Sequence, residues 1–143
     1  MRFEDSKYSQ NLDYKKVTLS SGNFYFLKKI VIAEINEGVH YDWNKTMEWS
    51  QIAIEYYGND IKIGYISNRV NPYSIDPQLY TTFDEEYGFV VASAIVIYND
   101  ISYVNASIEK KFSKNRIKRC RSLKEAIEWI GNLKEFKKED SII

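Results

Sequence analysis

The chain has 143 residues, with 20 Lys plus Arg against 20 Asp plus Glu, and is 44% apolar and 28% charged. That size supports one domain around one core, the composition excludes a disordered chain, and the zero net charge provides no overall field to gather nucleic acid or an anionic membrane. No apolar run approaches the roughly 20 residues that a membrane-spanning helix needs, and the polar start, Met1 to Lys7, lacks a signal-peptide apolar region, so a cytoplasmic protein with no membrane insertion is expected.

Met1 to Asp13 is polar and reads as a loosely held segment before the domain. Tyr14–Leu19 and Phe24–Leu27 flank the turn cluster Ser20-Ser21-Gly22-Asn23, and Ile30–Ile35 follows as a mostly buried strand, so three antiparallel strands are expected. Asp42 is placed to cap a helix from Trp43 to Tyr57, which Gly58 stops. Ile61–Ile66 is the next strand, followed by a long loop with two prolines. Asp76-Pro77 is a cap and first-turn pair for a helix running to Tyr87. Val90–Tyr98 is an almost continuous apolar run, as a central strand requires.

Beyond Asn99-Asp100, the residues Ile101, Val104, Ile108 and Phe112 recur at helical spacing, which predicts a stripe facing the core. Ile117–Cys120 is a short strand. Ser122-Leu123-Lys124-Glu125 is a capping box opening a helix with Leu123, Ala126, Ile127, Ile130 and Leu133 inward. Residues 135–143 read as a charged, frayed tail. The order predicts a single α/β domain over 14–134, with a mixed sheet of about five or six strands and crossover helices.

Three stretches carry a family resemblance: Glu37-Gly38-Val39 after the third strand, Ile66-Ser67-Asn68-Arg69 after the fourth, and Ser122 to Ile130 in the last helix. With the order of elements, from Tyr14 to Leu133, they make the chain resemble the STAS or SpoIIAA-like fold family of bacterial anti-sigma-factor antagonists. More narrowly, it resembles the small uncharacterised bacterial proteins with that fold. The resemblance implies a regulatory or binding domain without enzyme activity. The antagonists' phosphorylatable Asp-Ser-Ser/Thr-Gly motif is absent here. Ser67-Asn68-Arg69 and Tyr73-Ser74-Ile75-Asp76-Pro77 stand in that region instead, so a phosphorylation switch at Ser67 or Ser74 does not follow from the resemblance.

Candidate site residues follow from the rule that ligands sit beyond the carboxyl ends of parallel strands. Those ends carry Glu37 and His40, then Asn68, Arg69, Tyr73, Ser74 and Asp76. Arg69 offers a planar fork of donors for a carboxylate or phosphate. An internal ion pair with Glu37 or Asp76, bracing the long loop, is the commoner arrangement. His40 is the sole histidine and has no metal-ligand spacing around it, and no Gly-x-Ser-x-Gly elbow supports a Ser74–His40 hydrolase. Cys120, between Arg119 and Arg121, reads as a packed thiol in a reducing compartment rather than a reactive one.

Charge is segregated. Glu34–Asp100 holds eleven acids and three bases, whereas Glu109–Lys124 holds eight bases and one acid. The basic stretch, Lys110, Lys111, Lys114, Arg116, Lys118, Arg119 and Arg121, fits a solvated helix end and a charge-guarded edge strand. Nucleic-acid binding would need aromatics interleaved with it, and Phe112 is the sole one. The expectation is a non-enzymatic binding domain with no cofactor and no metal, whose partner is another protein or a second copy. The alternative is a small-molecule or lipid module around Arg69 and Tyr73.

Overall fold

The computed structural model describes residues 1–113, 116–137 and 141–143. After a 3₁₀ turn at Phe3–Asp5 and a short helix α1 (Lys7–Asn11), strands β1 (Lys15–Leu19), β2 (Gly22–Phe26) and β3 (Ile30–Ile35) form an antiparallel meander. A two-residue strand β4 (His40–Tyr41) leads into α2 (Trp43–Tyr57), and β5 (Ile63–Asn68) returns parallel to β3. A second two-residue strand, β6 (Ser74–Ile75), pairs with β4, and α3 (Leu79–Glu86) follows. Then come β7 (Val90–Val96), the helical segments α4 (Asp100–Asn105) and α5 (Ser107–Lys110), β8 (Arg116–Cys120) and α6 (Leu123–Gly131).

The main sheet has six strands in the order β1-β2-β3-β5-β7-β8, parallel from β3 onward. This is the mixed sheet with crossover helices that the alternating pattern predicts. The β4–β6 pair, His40 opposite Ser74 and Tyr41 opposite Ile75, is too short to leave a periodic signal. The capping expectations hold where a side chain can reach. Asp42 accepts from Lys45 N, and Ser122 accepts from Glu125 N at 3.0 Å while Glu125 reaches back to Arg121 N at 2.8 Å. Asp76 differs: its carboxylate accepts from Gln78 N at 3.1 Å, and the helix begins at Leu79 behind the uncapped Gln78.

Both faces of the sheet are covered. On one, α2 and α3 pack Trp49, Ala53, Leu79 and Phe83 against Phe24, Phe26, Val31, Tyr65 and Val90. Trp49 is the hub, stacked 5.0 Å from Tyr65 and 5.9 Å from Phe24 and Phe83, with its indole N–H donated to Tyr41 OH at 2.7 Å. On the other face, α6 lays Leu123, Ala126, Ile127 and Ile130 onto Ile32, Ile66, Ala94 and Val96. The helix sits so close that a Cβ on Gly64 would come within 2.7 Å of Ile130 Cγ2, which explains a glycine inside β5, one residue from its start. Cys120 is buried in this layer, and burial pushes its thiol up to about 12, in line with the packing role read from sequence.

Two expectations are corrected here. The opening segment is not loose. Phe3 is fully buried against Tyr14 and Tyr25, with ring centroids at 5.0 and 4.6 Å. Its N–H donates to the buried Glu34 carboxylate at 2.7 Å, and the same oxygen accepts from Asn68 Nδ2 at 2.7 Å. A lone Phe in a polar stretch has no periodicity to reveal it. Likewise the tail is not merely frayed: Phe136 and Ile142 are buried in the α6 layer, and Lys29 N donates to Ile142 O at 2.9 Å. The tail residues 138–140 and Lys114 of the basic stretch lie outside the described residues.

Phe3→Ala is therefore expected to lower the unfolding free energy by about 3–5 kcal/mol, as for a core aromatic. Urea unfolding checks this, and a loss under about 0.5 kcal/mol, typical of a surface site, would restore the loose segment.

Candidate functional site

Strands β5 and β7 deliver the chain, at their carboxyl ends, into an open cleft of about 1010 Å³. One wall is the loop from Arg69 to Tyr73, another is Ile97 to Asn99 with the inward edge of α4 and α5, and the third is Met1, Arg2 and Asp5 of the anchored start. The start is pinned there by Asn68, whose Nδ2 donates to Met1 O at 3.0 Å and whose Oδ1 lies 2.6 Å from the hydroxyl of Tyr98. The cleft is where the strand-end rule places a site.

At its base sits a buried polar network. Both terminal nitrogens of Arg69 donate to the two carboxylate oxygens of Glu109, a bidentate pair whose side chains are only 15% and 6% exposed. Tyr80 OH donates to Glu109 Oε1 at 2.7 Å. Arg69 Nε donates to Ser67 Oγ at 3.2 Å, and Ser67 Oγ lies 3.1 Å from Tyr73 OH. The guanidinium also lies 5.5 Å from the centre of the Tyr73 ring. Burial opposes the charge on Arg69, but Tyr73 and Glu109 outweigh it and hold its pKa well above the usual value. Burial, then the negative charge of Glu109, pushes the Tyr80 hydroxyl well up, so it stays a donor.

The sequence reading expected Arg69 to brace Glu37 or Asp76. The brace exists, but its partner is Glu109, 40 residues further along the chain, which helical spacing had not marked as inward. Of the other predicted residues, Tyr73 lines the cleft with Arg69. Asn68 and Ser67 are buried beneath it as structural pins. Glu37 is exposed in the turn after β3 and does not line the cleft. His40 and Ser74 do meet, with Nδ1 2.7 Å from Oγ, but as exposed cross-strand neighbours of β4 and β6 that do not line the cleft. Asp42, the acid nearest in sequence, is engaged with Lys45 at the start of α2. Among the described residues no group of three or more His, Cys, Asp or Glu is placed to hold a metal ion.

Three of the four residues of the stripe expected to face the core do not, and the fourth, Phe112, is half-buried. Ile101, Val104 and Ile108 are 77%, 64% and 53% exposed, and Tyr98 beside them is 42% exposed. The inward side of α4–α5 is carried instead by the half-buried Tyr103 and the buried Ala106 and Glu109, packed over Ile95, Ile97 and Ile117. The apolar stripe forms a ridge along the rim of the cleft, with Ile108 and Tyr98 belonging to both. Below it, Tyr103 is flanked by the guanidinium groups of Arg119 and Arg121, 4.4 and 4.0 Å from its centre.

Glu109→Leu is expected to cost about 3–5 kcal/mol of stability, since it strands a buried guanidinium. Arg69→Met with Glu109→Leu should lose far less than the sum of the two single changes, a coupling read by a double-mutant cycle in urea. Independent, additive effects would mean that the pair does not set this region.

No family model matches the chain, and no curated protein matches it. Among solved structures, an uncharacterized protein of the DUF3478 family with a SpoIIAA-like fold, from Shewanella loihica PV-4, superposes with a TM-score of 0.50 at 9% identity, covering 83% of this chain and 93% of that one. Among the described residues no helix is long and apolar enough to cross a membrane. The six-stranded mixed sheet with its crossover helices thus has a SpoIIAA-like fold.

Proposed function

We propose that this chain is a non-enzymatic, regulatory binding domain of the cytoplasm that acts by docking another protein on the α4–α5 ridge and the adjoining rim of the cleft. The observation that carries the reading is the outward stripe of Ile101, Val104 and Ile108. Single exposed apolar residues are ordinary, but three at helical spacing on one segment, with an exposed Tyr98 just before it, are the kind of apolar surface that marks an interface. Each such side chain left in water forgoes about 1.5–3 kcal/mol of burial, which a partner would recover. His40 and Ser74 meet in an exposed strand pair that does not line the cleft, and Asp42 caps α2 through Lys45, so these residues add no support for catalysis.

The test is co-purification from the source cells with tagged wild type and with Val104→Asp. Val104 is largely solvent-exposed, so the substitution leaves the core intact. Proteins recovered by the wild type should be lost from the variant. An identical set with both proteins would contradict the reading.

A second reading has its own observation. Arg69 and Tyr73 line a cleft at the strand ends, the usual place for a small ligand in an α/β sheet. A small-molecule or lipid module should then show ligand-dependent stabilisation, roughly 2.7 kcal/mol at a hundred times the dissociation constant. A thermal-shift screen should find it in the wild type and not in Tyr73→Ala. No shift with any metabolite or lipid would remove this alternative.

A further inference from the structure

We propose that the ridge is a self-docking surface: a second copy of this chain packs its own α4–α5 on it, antiparallel, about a two-fold axis at residues 104–105. The inference rests on the reading of the ridge as a protein-docking surface and names its occupant.

The charge order along the ridge carries the inference. Asp100 stands at its amino end, the apolar residues Ile101, Val104 and Ile108 in the middle, and Lys110 and Lys111 at its carboxyl end. Ala106, the link between the two helical segments, is itself right-handed helical, with φ −63° and ψ −16°, so the stripe runs on through both. An isologous contact requires that if one residue touches a second across the axis, the second touches the first. Here the midpoint between Ile101 and Ile108 falls at 104–105, and the midpoint between Asp100 and Lys110 falls at 105. One antiparallel placement about an axis near 104–105 therefore brings Ile101 opposite the copy's Ile108, Val104 beside the copy's Val104, and each long-reaching Lys110 and Lys111 towards the copy's Asp100, all within about a residue of register.

A parallel placement would oppose like charges at both ends, and a foreign partner is not required to supply this symmetry. The spacing of i, i+3 and i+7 is also that of a helix-to-helix seam. Asn105, exposed beside Val104, brings an amide that can both donate and accept across the axis.

The charged ends are available. Lys110 and Lys111 are exposed, and Asp100, though 2.7 Å from Arg121, keeps a side chain that is 90% exposed, with lone pairs to spare for a second cation. Overall repulsion between copies is absent because the net charge is zero. The seam is only about three helical turns long, so the interface lies at the small end for protein contacts and the dimer is a weak, reversible one.

Sedimentation velocity over a concentration series tests this, with thermal melts confirming that each variant folds. The wild type should run as a monomer–dimer equilibrium that weakens in high salt. Val104→Asp should weaken dimerisation roughly tenfold or more. So should Asp100→Lys alone and Lys110→Asp with Lys111→Asp, whereas the triple charge swap should restore the dimer, because the two-fold arrangement is indifferent to which end carries which sign. Val104→Cys provides a near-native check. Under oxidation it should form a disulfide-linked dimer rapidly, and Ser74→Cys, also at an exposed position but off the ridge, should not. A wild type that stays monomeric throughout, a dimer untouched by Val104→Asp, or a triple swap that fails to restore it overturns the proposal. If the monomer still captures a protein that Val104→Asp loses, self-docking falls while the protein-binding reading stands.

Discussion

The bidentate pair between Arg69 and Glu109 decides which way the α4–α5 segment faces. Glu109 is drawn under the segment to meet a guanidinium at the end of β5, and Tyr80 closes over its other side. Fixing Glu109 inward fixes Ala106, three residues earlier, inward as well, because residues three apart share a helix face. The apolar residues on the opposite side then have nowhere to go but solvent. A buried ion pair is weak support for stability in itself, since desolvation offsets much of its attraction. Its value here is orientational: it holds a hydrophobic stripe outward that would otherwise tend to roll into the core.

The same pair shapes the cleft. It holds the loop after β5 against α5, and so fixes the distance between two of the cleft's walls. The third wall depends on a different buried acid, Glu34, which accepts from both Phe3 N and Asn68 Nδ2 at 2.7 Å and draws the amino-terminal segment across the sheet. The SpoIIAA-like framework supplies the strand ends; two buried carboxylates supply the rims. Cleft and ridge are parts of one surface, joined at Tyr98 and Ile108.

How much of this the sequence discloses depends on the range of the interactions involved. Ile30–Ile35 and Trp43–Tyr57 are legible to the residue, because strand and helix there follow from local composition, a capping Asp42 and a stopping Gly58. Arg69 and Tyr73 were also legible as cleft residues, through the strand-end rule. What was not legible is long-range. Phe3 is held by Glu34, 31 residues away, and Arg69 by Glu109, 40 residues away. Nothing in spacing predicts either partner. The Ile101–Val104–Ile108 stripe misled for a related reason: periodicity identifies an apolar face but not which side a buried charge will claim. His40 and Ser74 meet across the two-residue pairing of β4 and β6, which leaves both outside the cleft lining.

The central claim is that the apolar stripe of α4–α5 faces solvent in the folded protein. Methyl NMR with a soluble paramagnetic probe, on dilute unmodified protein, reads this without any substitution. The account predicts strong broadening of the Ile101, Val104 and Ile108 methyls, with Ile95, Ile97 and Ile117 beneath the segment left sharp. Equal protection of all six would mean that the stripe is packed inward, and the docking surface inferred from it would not exist.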